Sequence, residues 1–215
     1  MSQSISARSR VRRLPGRGMY DRAVIYKILD EALICHIGFV ADGQPFVIPT
    51  IHARRDDTLL LHGAAASRML KHIQQGNPIC VETTLLDGLV IARGVFHNSM
   101  NYRSVVLFGV GRLLVNAAEK FEALHVLTDR VFPGRWSDSR APSAKEMKMT
   151  SIIEFTIESA SAKMRAGGPK DDASDYDQAW WAGVIPAEQK FHAPVPDEKL
   201  GAGIPTPSYL KKYKR

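Results

Sequence analysis

Short apolar runs broken by turn dipeptides set what this chain can fold into: strands joined by tight connections, with helices as brief insertions. Ile34 to Val40 reads as a strand, Asp42-Gly43 as a tight turn, and Phe46 to Ile51 as the returning strand of a hairpin. Leu59 to His62 is a further short strand. Ile79 to Leu85 and Leu89 to Ala92 flank Asp87-Gly88, which predicts a second hairpin. Ser104 to Val115 alternates as one long strand, bent at Gly109 or Gly111. Ile152 to Ile157 sets Ile153, Phe155 and Ile157 against Glu154, Thr156 and Glu158.

Three helices interrupt the series. Asp21 caps one that carries Val24, Ile25, Ile28, Leu29 and Ala32 on a single face. Ser67 caps another running to Gln75, with Gly76 just past its end. Asn116 opens a third, with Phe121, Leu124, Leu127 and Val131 inward and Pro133-Gly134 closing it. Six or seven strands with mostly hairpin-like connections predict a mainly β fold: an antiparallel Greek-key barrel with short helices.

Charge and composition narrow the function classes. The net charge is +7, but nine of the 29 basic residues lie in the first twenty and last five positions, which leaves the body nearly neutral. A nucleic-acid-binding domain would carry its basic stripe on the folded surface, so no nucleic-acid partner is expected. No apolar run approaches a membrane span and no signal-peptide core opens the chain, which predicts a cytoplasmic protein. Cys35 and Cys80 sit in apolar segments and read as reduced core thiols. No HxH or HExxH pair occurs among the seven histidines, and no metal site is expected. His36, inside an apolar strand, reads as a hydrogen-bonded core residue.

Three segments could carry chemistry. Leu61-His62-Gly63-Ala64-Ala65-Ala66-Ser67-Arg68 runs from a strand through small residues into a helix start. It suits either an anion cradled by free amides, or a plain cap followed by a solvated arginine. Ser99 to Ser104 joins a ring, a guanidinium and several hydroxyl or amide groups before the longest strand, fit for a planar polar ligand or for an ordinary polar loop. Ser161 to Arg165 follows the last strand with two cations and, taken alone, is a solvated strand end. The pair Trp180-Trp181 predicts a segment packed on the barrel or on a ligand.

An ordered series of motifs goes further: Arg13-(x)3-Arg17-(x)2-Tyr20-Asp21, Gly43 to Thr50, Leu61-His62-Gly63, Ser67-Arg68, Leu86 to Val90, Ser99 to Val105, Phe132 to Trp136, Ser161 to Arg165, and Trp181 to Pro186. Over about residues 10–186 the chain resembles the pyridoxamine 5′-phosphate oxidase-related, FMN-binding split-barrel family, in the branch that includes nitroimidazole-resistance proteins. The resemblance implies a homodimer with FMN in the cleft between subunits. It places Val47, Ile48, Pro49 and Thr50 along the isoalloxazine ring, and His62, Gly63, Ser67 and Arg68 around the ribityl phosphate. It brings Tyr102, Arg103, Ser104 and Val105 to the flavin from either subunit, and Lys163, Arg165 and Trp181 to its open side. His62 is the catalytic candidate.

The implied activity is an FMN-dependent oxidoreductase passing electrons from a transiently bound NAD(P)H to a small acceptor. A nitroimidazole reductase-like activity, a non-catalytic flavin carrier or sensor, and a haem-binding relative with a histidine ligand are the alternatives. The basic carboxyl-terminal motif expected of a true pyridoxamine-phosphate oxidase is not evident. The implied organisation is a flexible basic start over 1–9, an FMN-binding barrel over 10–165, a packed segment over 166–190 and a flexible basic tail over 191–215.

Overall fold

The computed structural model describes residues 5–211 and 213; Lys212, Lys214 and Arg215 of the expected tail, and residues 1–4, lie outside them. The elements in order are β1 (Gly18–Met19), α1 (Arg22–Glu31), β2 (Ile34–Ala41), β3 (Gln44–Arg55), β4 (Thr58–Ala64), α2 (Arg68–Gln74) and β5 (Ile79–Ile91). They continue with β6 (Ser99–Leu113), α3 (Ala117–Val131), α4 (Ala144–Met149), β7 (Thr150–Arg165), β8 (Gly183–Pro186) and α5 (Ser208–Lys211).

All strand pairs are antiparallel. The order β7-β4-β3-β2-β5-β6 closes on itself because β6 also pairs with β7, while β1 adds to β7 and β8 adds to β5. Three hairpin-linked strands, β2 to β4, are followed by β5, which crosses back to lie beside β2. This is the Greek-key connection expected from the sequence. Asp42 and Gly43 take φ of 51° and 73°, the left-handed pair that a two-residue hairpin turn requires, and so fix Phe39 opposite Phe46.

Two of the three predicted side-chain caps form. Asp21 accepts from the amides of Ala23 and Val24, and Asn116 from those of Ala118 and Glu119. α1 buries Ile25, Ile28 and Leu29 in the barrel, and α2 buries Met69, Leu70 and Ile73 there with Ile37, Leu61, Leu107 and Phe155. Each fully buried Leu or Ile contributes about 1.5–3 kcal/mol. Ala123 and Leu127 of α3 cover a smaller core with Leu60 and Ile152.

Several expectations need correction. Asp87-Gly88 does not turn the chain: β5 runs through it, and the register with β6 shifts between Leu86 and Gly88. A Cβ on Gly88 would stand 2.8 Å from the Ile185 carbonyl oxygen, so this glycine admits β8 and makes no hairpin. Ser99 to Ser104 and Ser161 to Arg165 lie within β6 and β7, not before and after strands. Phe121 of α3 is 39% exposed, not inward, and meets Trp136 edge-on, 5.0 Å between centroids. His36 points outward, its Nδ1 3.3 Å from Glu82 on the paired strand, because β2 alternates and its inward positions are Cys35, Ile37 and Phe39. Ser67 stands at the α2 cap position without a capping bond from its side chain.

Gly109 lies where the register of β6 against β7 shifts, and a Cβ there would sit 1.9 Å from the Thr156 carbonyl oxygen. The segment expected to pack on the barrel does so through β8, yet Trp180 and Trp181 stay 65% and 67% exposed. Arg8 reaches Glu158 at 2.6 Å and Ser159 at 2.9 Å on β7, and Ser9 is buried. Beyond residue 190, the Tyr209 hydroxyl donates to Asp138 at 2.7 Å and that of Tyr213 to the Val131 carbonyl at 2.5 Å. Among the described residues, no helix is long and apolar enough to cross a membrane.

Candidate functional site

The residues singled out in the sequence gather into two groups at opposite ends of β7. The first lies where β3, β4 and α2 meet. Strand alternation turns Val47 and Pro49 outward and Ile48 and Thr50 inward, with Ile48 packed on the core. His62, half-buried on β4, pairs with Ile152 of β7. Its Nδ1 is buried and has no hydrogen-bond partner among the described residues. Burial lowers the His62 pKa below its ordinary value, so the ring is neutral at pH 7.

The turn after His62 is less open to an anion than its small residues suggest. The Ala65 amide donates to the Met149 carbonyl at 3.2 Å and the Ser67 amide to Ala64 at 2.9 Å, so two of its donors are already used. Gly63 is small for a packing reason: a Cβ there would press within 3.2 Å of Leu70. Arg68 lies over the ring of Phe46, its guanidinium carbon 4.5 Å from the centroid.

The second group lies on β6 and the far half of β7. Tyr102 pairs with Arg165, and Ser104 pairs with Lys163, donating through its hydroxyl to the Lys163 carbonyl at 3.2 Å. Val105 is wholly in the core. Arg103 is gripped from two sides, by both carboxylate oxygens of Glu31 and by Asp87 at 2.7–3.2 Å. The Arg103 hydrogen bond holds the Glu31 carboxyl below its usual pKa. A pocket of about 510 Å³ opens over this clamp. Arg165 is 91% buried and has no carboxylate partner among the described residues; Asn101 and the carbonyls of Gly167 and Gly168 accept its hydrogens. Trp181 packs against Gly183 at the start of β8.

Gly63 faces Ser151 and Tyr102 faces Arg165, so the two groups are separated by about 45 Å of strand path at roughly 3.3 Å per residue. Within one chain they do not converge. His97, Asp172 and Asp175 form a cluster close enough to share a cation, at the exposed edge of a loop where His97 already meets Asp172 at 3.3 Å.

A feature that the motif reading missed lies beside the first group. Val47, Gly38, Cys80 and Phe108 form one row across β3, β2, β5 and β6. They line a groove of about 570 Å³, together with Phe39, Phe46, His72, Pro78 and Arg8. The signal was present in part, since an Asp-Gly two-residue turn sets Phe39 against Phe46, and His72 falls one helical turn after Arg68.

A family model described as pyridoxamine 5′-phosphate oxidase matches residues 21–164. The chain belongs to the pyridoxamine 5′-phosphate oxidase family. Within it, the chain is similar to the flavocytochrome Anf3 from Azotobacter vinelandii, at 37% identity and a TM-score of 0.93 over 97% of both chains. It is also similar to the FAD and heme binding protein from Mycobacterium smegmatis, at 33% identity and a TM-score of 0.86, over 90% of this chain and 95% of that one. A candidate 5-nitroimidazole antibiotic resistance protein from Bacteroides thetaiotaomicron shares the fold alone, at 21% identity and a TM-score of 0.58 over 68% of this chain and 85% of that one. No match was found among curated proteins.

Proposed function

We propose that this chain is a redox protein that holds a flavin and a haem and moves electrons from NAD(P)H through them to a small acceptor. The observation that carries this reading is the 37% identity to a flavocytochrome, sustained over 97% of both chains. The FAD and heme binding relative supports FAD in preference to the FMN expected from the motifs. A bound flavin supplies exchange between two-electron donors and one-electron acceptors, while the protein binds and orients it.

The residues present fit such a group at the junction of β3, β4 and α2. His62 offers there a neutral ring with an unmet Nδ1, and the Ser67 hydroxyl is not spent on a helix cap. Arg68 is the cation of this group. Arg103 is a poorer candidate for flavin contact, because Glu31 and Asp87 already neutralise it. A single flavin touched by both groups of residues draws them from two copies of the chain, which supports a homodimer with the flavin in its cleft.

The test is to purify the protein, record its absorbance, identify the flavin released by acid, and add NADH or NADPH without oxygen. Flavin and Soret bands, release of FAD and bleaching by a nicotinamide are the expected results. A protein that takes up neither FAD nor FMN overturns the reading; one that takes up flavin and refuses haem reduces it to a flavin oxidoreductase.

A further inference from the structure

The outer face of the sheet beside β3 carries a polar cluster that the flavin reading does not use. His36, on β2, stands opposite Pro49 of β3 on one side and opposite Glu82 of β5 on the other. Strand alternation turns all three outward, while Ile37, Ile48 and Val81 of the next row face the core. The exposed side chains of Ile34, Val47 and Ile51 border them. A largely apolar surface therefore surrounds a single imidazole.

The polar residues are ordered like a proton carrier and its supports. Thr84 donates through its hydroxyl to Glu82 Oε1, and Glu82 Oε2 stands 3.3 Å from His36 Nδ1. With Nδ1 turned to the carboxylate, Nε2 is the nitrogen left for a molecule on the face, and it bonds to no described residue. An exposed pair of this kind contributes only about 0–1 kcal/mol to stability.

The neighbours are poorer proton donors. Cys80 stays a thiol, because burial, followed by the Glu82 charge, raises its pKa. Lys163 is separated from Thr84 by Ser104 of β6. His62, on β4, is held neutral by burial. His52 of β3 is buried against the Leu29 carbonyl, so His36 is the only histidine facing outward from β2, β3, β5 or β6.

We propose that His36 is a catalytic residue, the proton donor to the acceptor, with Glu82 and Thr84 as its positioning residues. This role rests on the flavin reading above, which leaves the source of the proton open. In the overall reaction, a nicotinamide and one proton reduce a two-electron acceptor to its dihydro form. The nicotinamide is oxidised by loss of a hydride, and the acceptor is reduced by the same electron pair. The added proton leaves His36 as the Nε2–H bond breaks and a bond to the acceptor's oxygen or nitrogen forms. Water returns a proton to Nε2 at the open face, and Glu82 stabilises the charged ring.

The test compares two acceptors on the flavin-loaded protein, a small quinone, which takes up protons on reduction, and ferricyanide, which takes electrons alone. His36→Gln should keep its flavin, slow quinone reduction by ~10²–10⁴-fold and slow ferricyanide reduction far less. Glu82→Gln should slow quinone reduction by a smaller factor. Added imidazole should restore part of the quinone rate of His36→Ala. A second readout needs no turnover. Diethyl pyrocarbonate should label His36 in the flavin-free protein, and bound FAD should protect it, as read by peptide mass mapping. Equal loss with both acceptors, loss with neither, a wild type that reduces ferricyanide and not the quinone, or labelling of His36 that FAD does not change overturns this role and leaves the flavin reading standing. A wild type that takes up neither FAD nor FMN overturns both.

Discussion

Arg68 and His72 stand one turn apart on α2, and each rests on one ring of the stacked pair Phe46–Phe39. The four side chains form a single pile from the proposed flavin end of α2 to the apolar groove. The residue proposed for the flavin and one wall of the groove therefore share a support.

Arg68→Ala is expected to weaken flavin binding by about 1.5–3 kcal/mol, roughly 10–150-fold, if Arg68 gives a charged hydrogen bond to phosphate. Its stacking on Phe46 is exposed and contributes only about 0.5–1 kcal/mol, so the melting temperature of the flavin-free protein should move little. Flavin fluorescence titration checks the first part and thermal unfolding the second. Unchanged affinity would mean that this guanidinium only packs.

Arg103→Ala tests whether the second group is structural. It removes bonds from the exposed Glu31 on α1 and the partly buried Asp87 on β5, and should cost about 1 kcal/mol in urea unfolding. Arg103 lowers the Glu31 pKa below 4.5, so Glu31 adds stability above its unfolded pKa, which is lost as pH falls through the folded value. The variant should lack that share of the wild-type loss below about pH 4.5.

His62 gives the opposite assignment of protonation states with the same slope. Burial depresses its pKa, so below about 6.5 the unfolded chain takes up a proton that the folded one resists. Stability contributed by the neutral ring is full above that value and declines as pH falls toward the folded pKa. His62→Gln should flatten the dependence of melting temperature between pH 7.5 and roughly 5.5. An unchanged slope would show that His62 titrates freely.

Gly109→Ala should be among the most damaging substitutions in the chain, at about 3 kcal/mol or more. The added Cβ would fall 1.9 Å from a backbone oxygen of β7, which cannot swing aside as a side chain could. Soluble yield and circular dichroism read the outcome; a well-folded variant would mean that β6 and β7 can separate locally.

What the sequence disclosed and what it withheld differ at identical dipeptides. Asp42-Gly43 and Asp87-Gly88 look alike locally, and both are flanked by apolar strands. The first turns, because Ala41 and Gln44 pair directly across it. The second stays extended, because β8, almost a hundred residues later, lies along Gly88 to Ile91. Distant partners also explain Arg103, whose two carboxylates lie 72 and 16 residues away. The motifs on β3, β4 and α2 were legible because they are local. The groove was not, since its floor gathers single residues from four strands, and Gly38 matters there by what it lacks.

The seam between β6 and β7 sets a clock on assembly. Every strand from β2 to β6 leaves the ribosome before β7, which bonds to both ends of their sheet, at β4 and at β6. At about 5–20 residues per second, the nascent sheet waits several seconds with two open edges. During that interval its unpaired edges can join a second chain's. Slowing synthesis before Thr150 is therefore expected to lower soluble yield, without any change in the finished molecule.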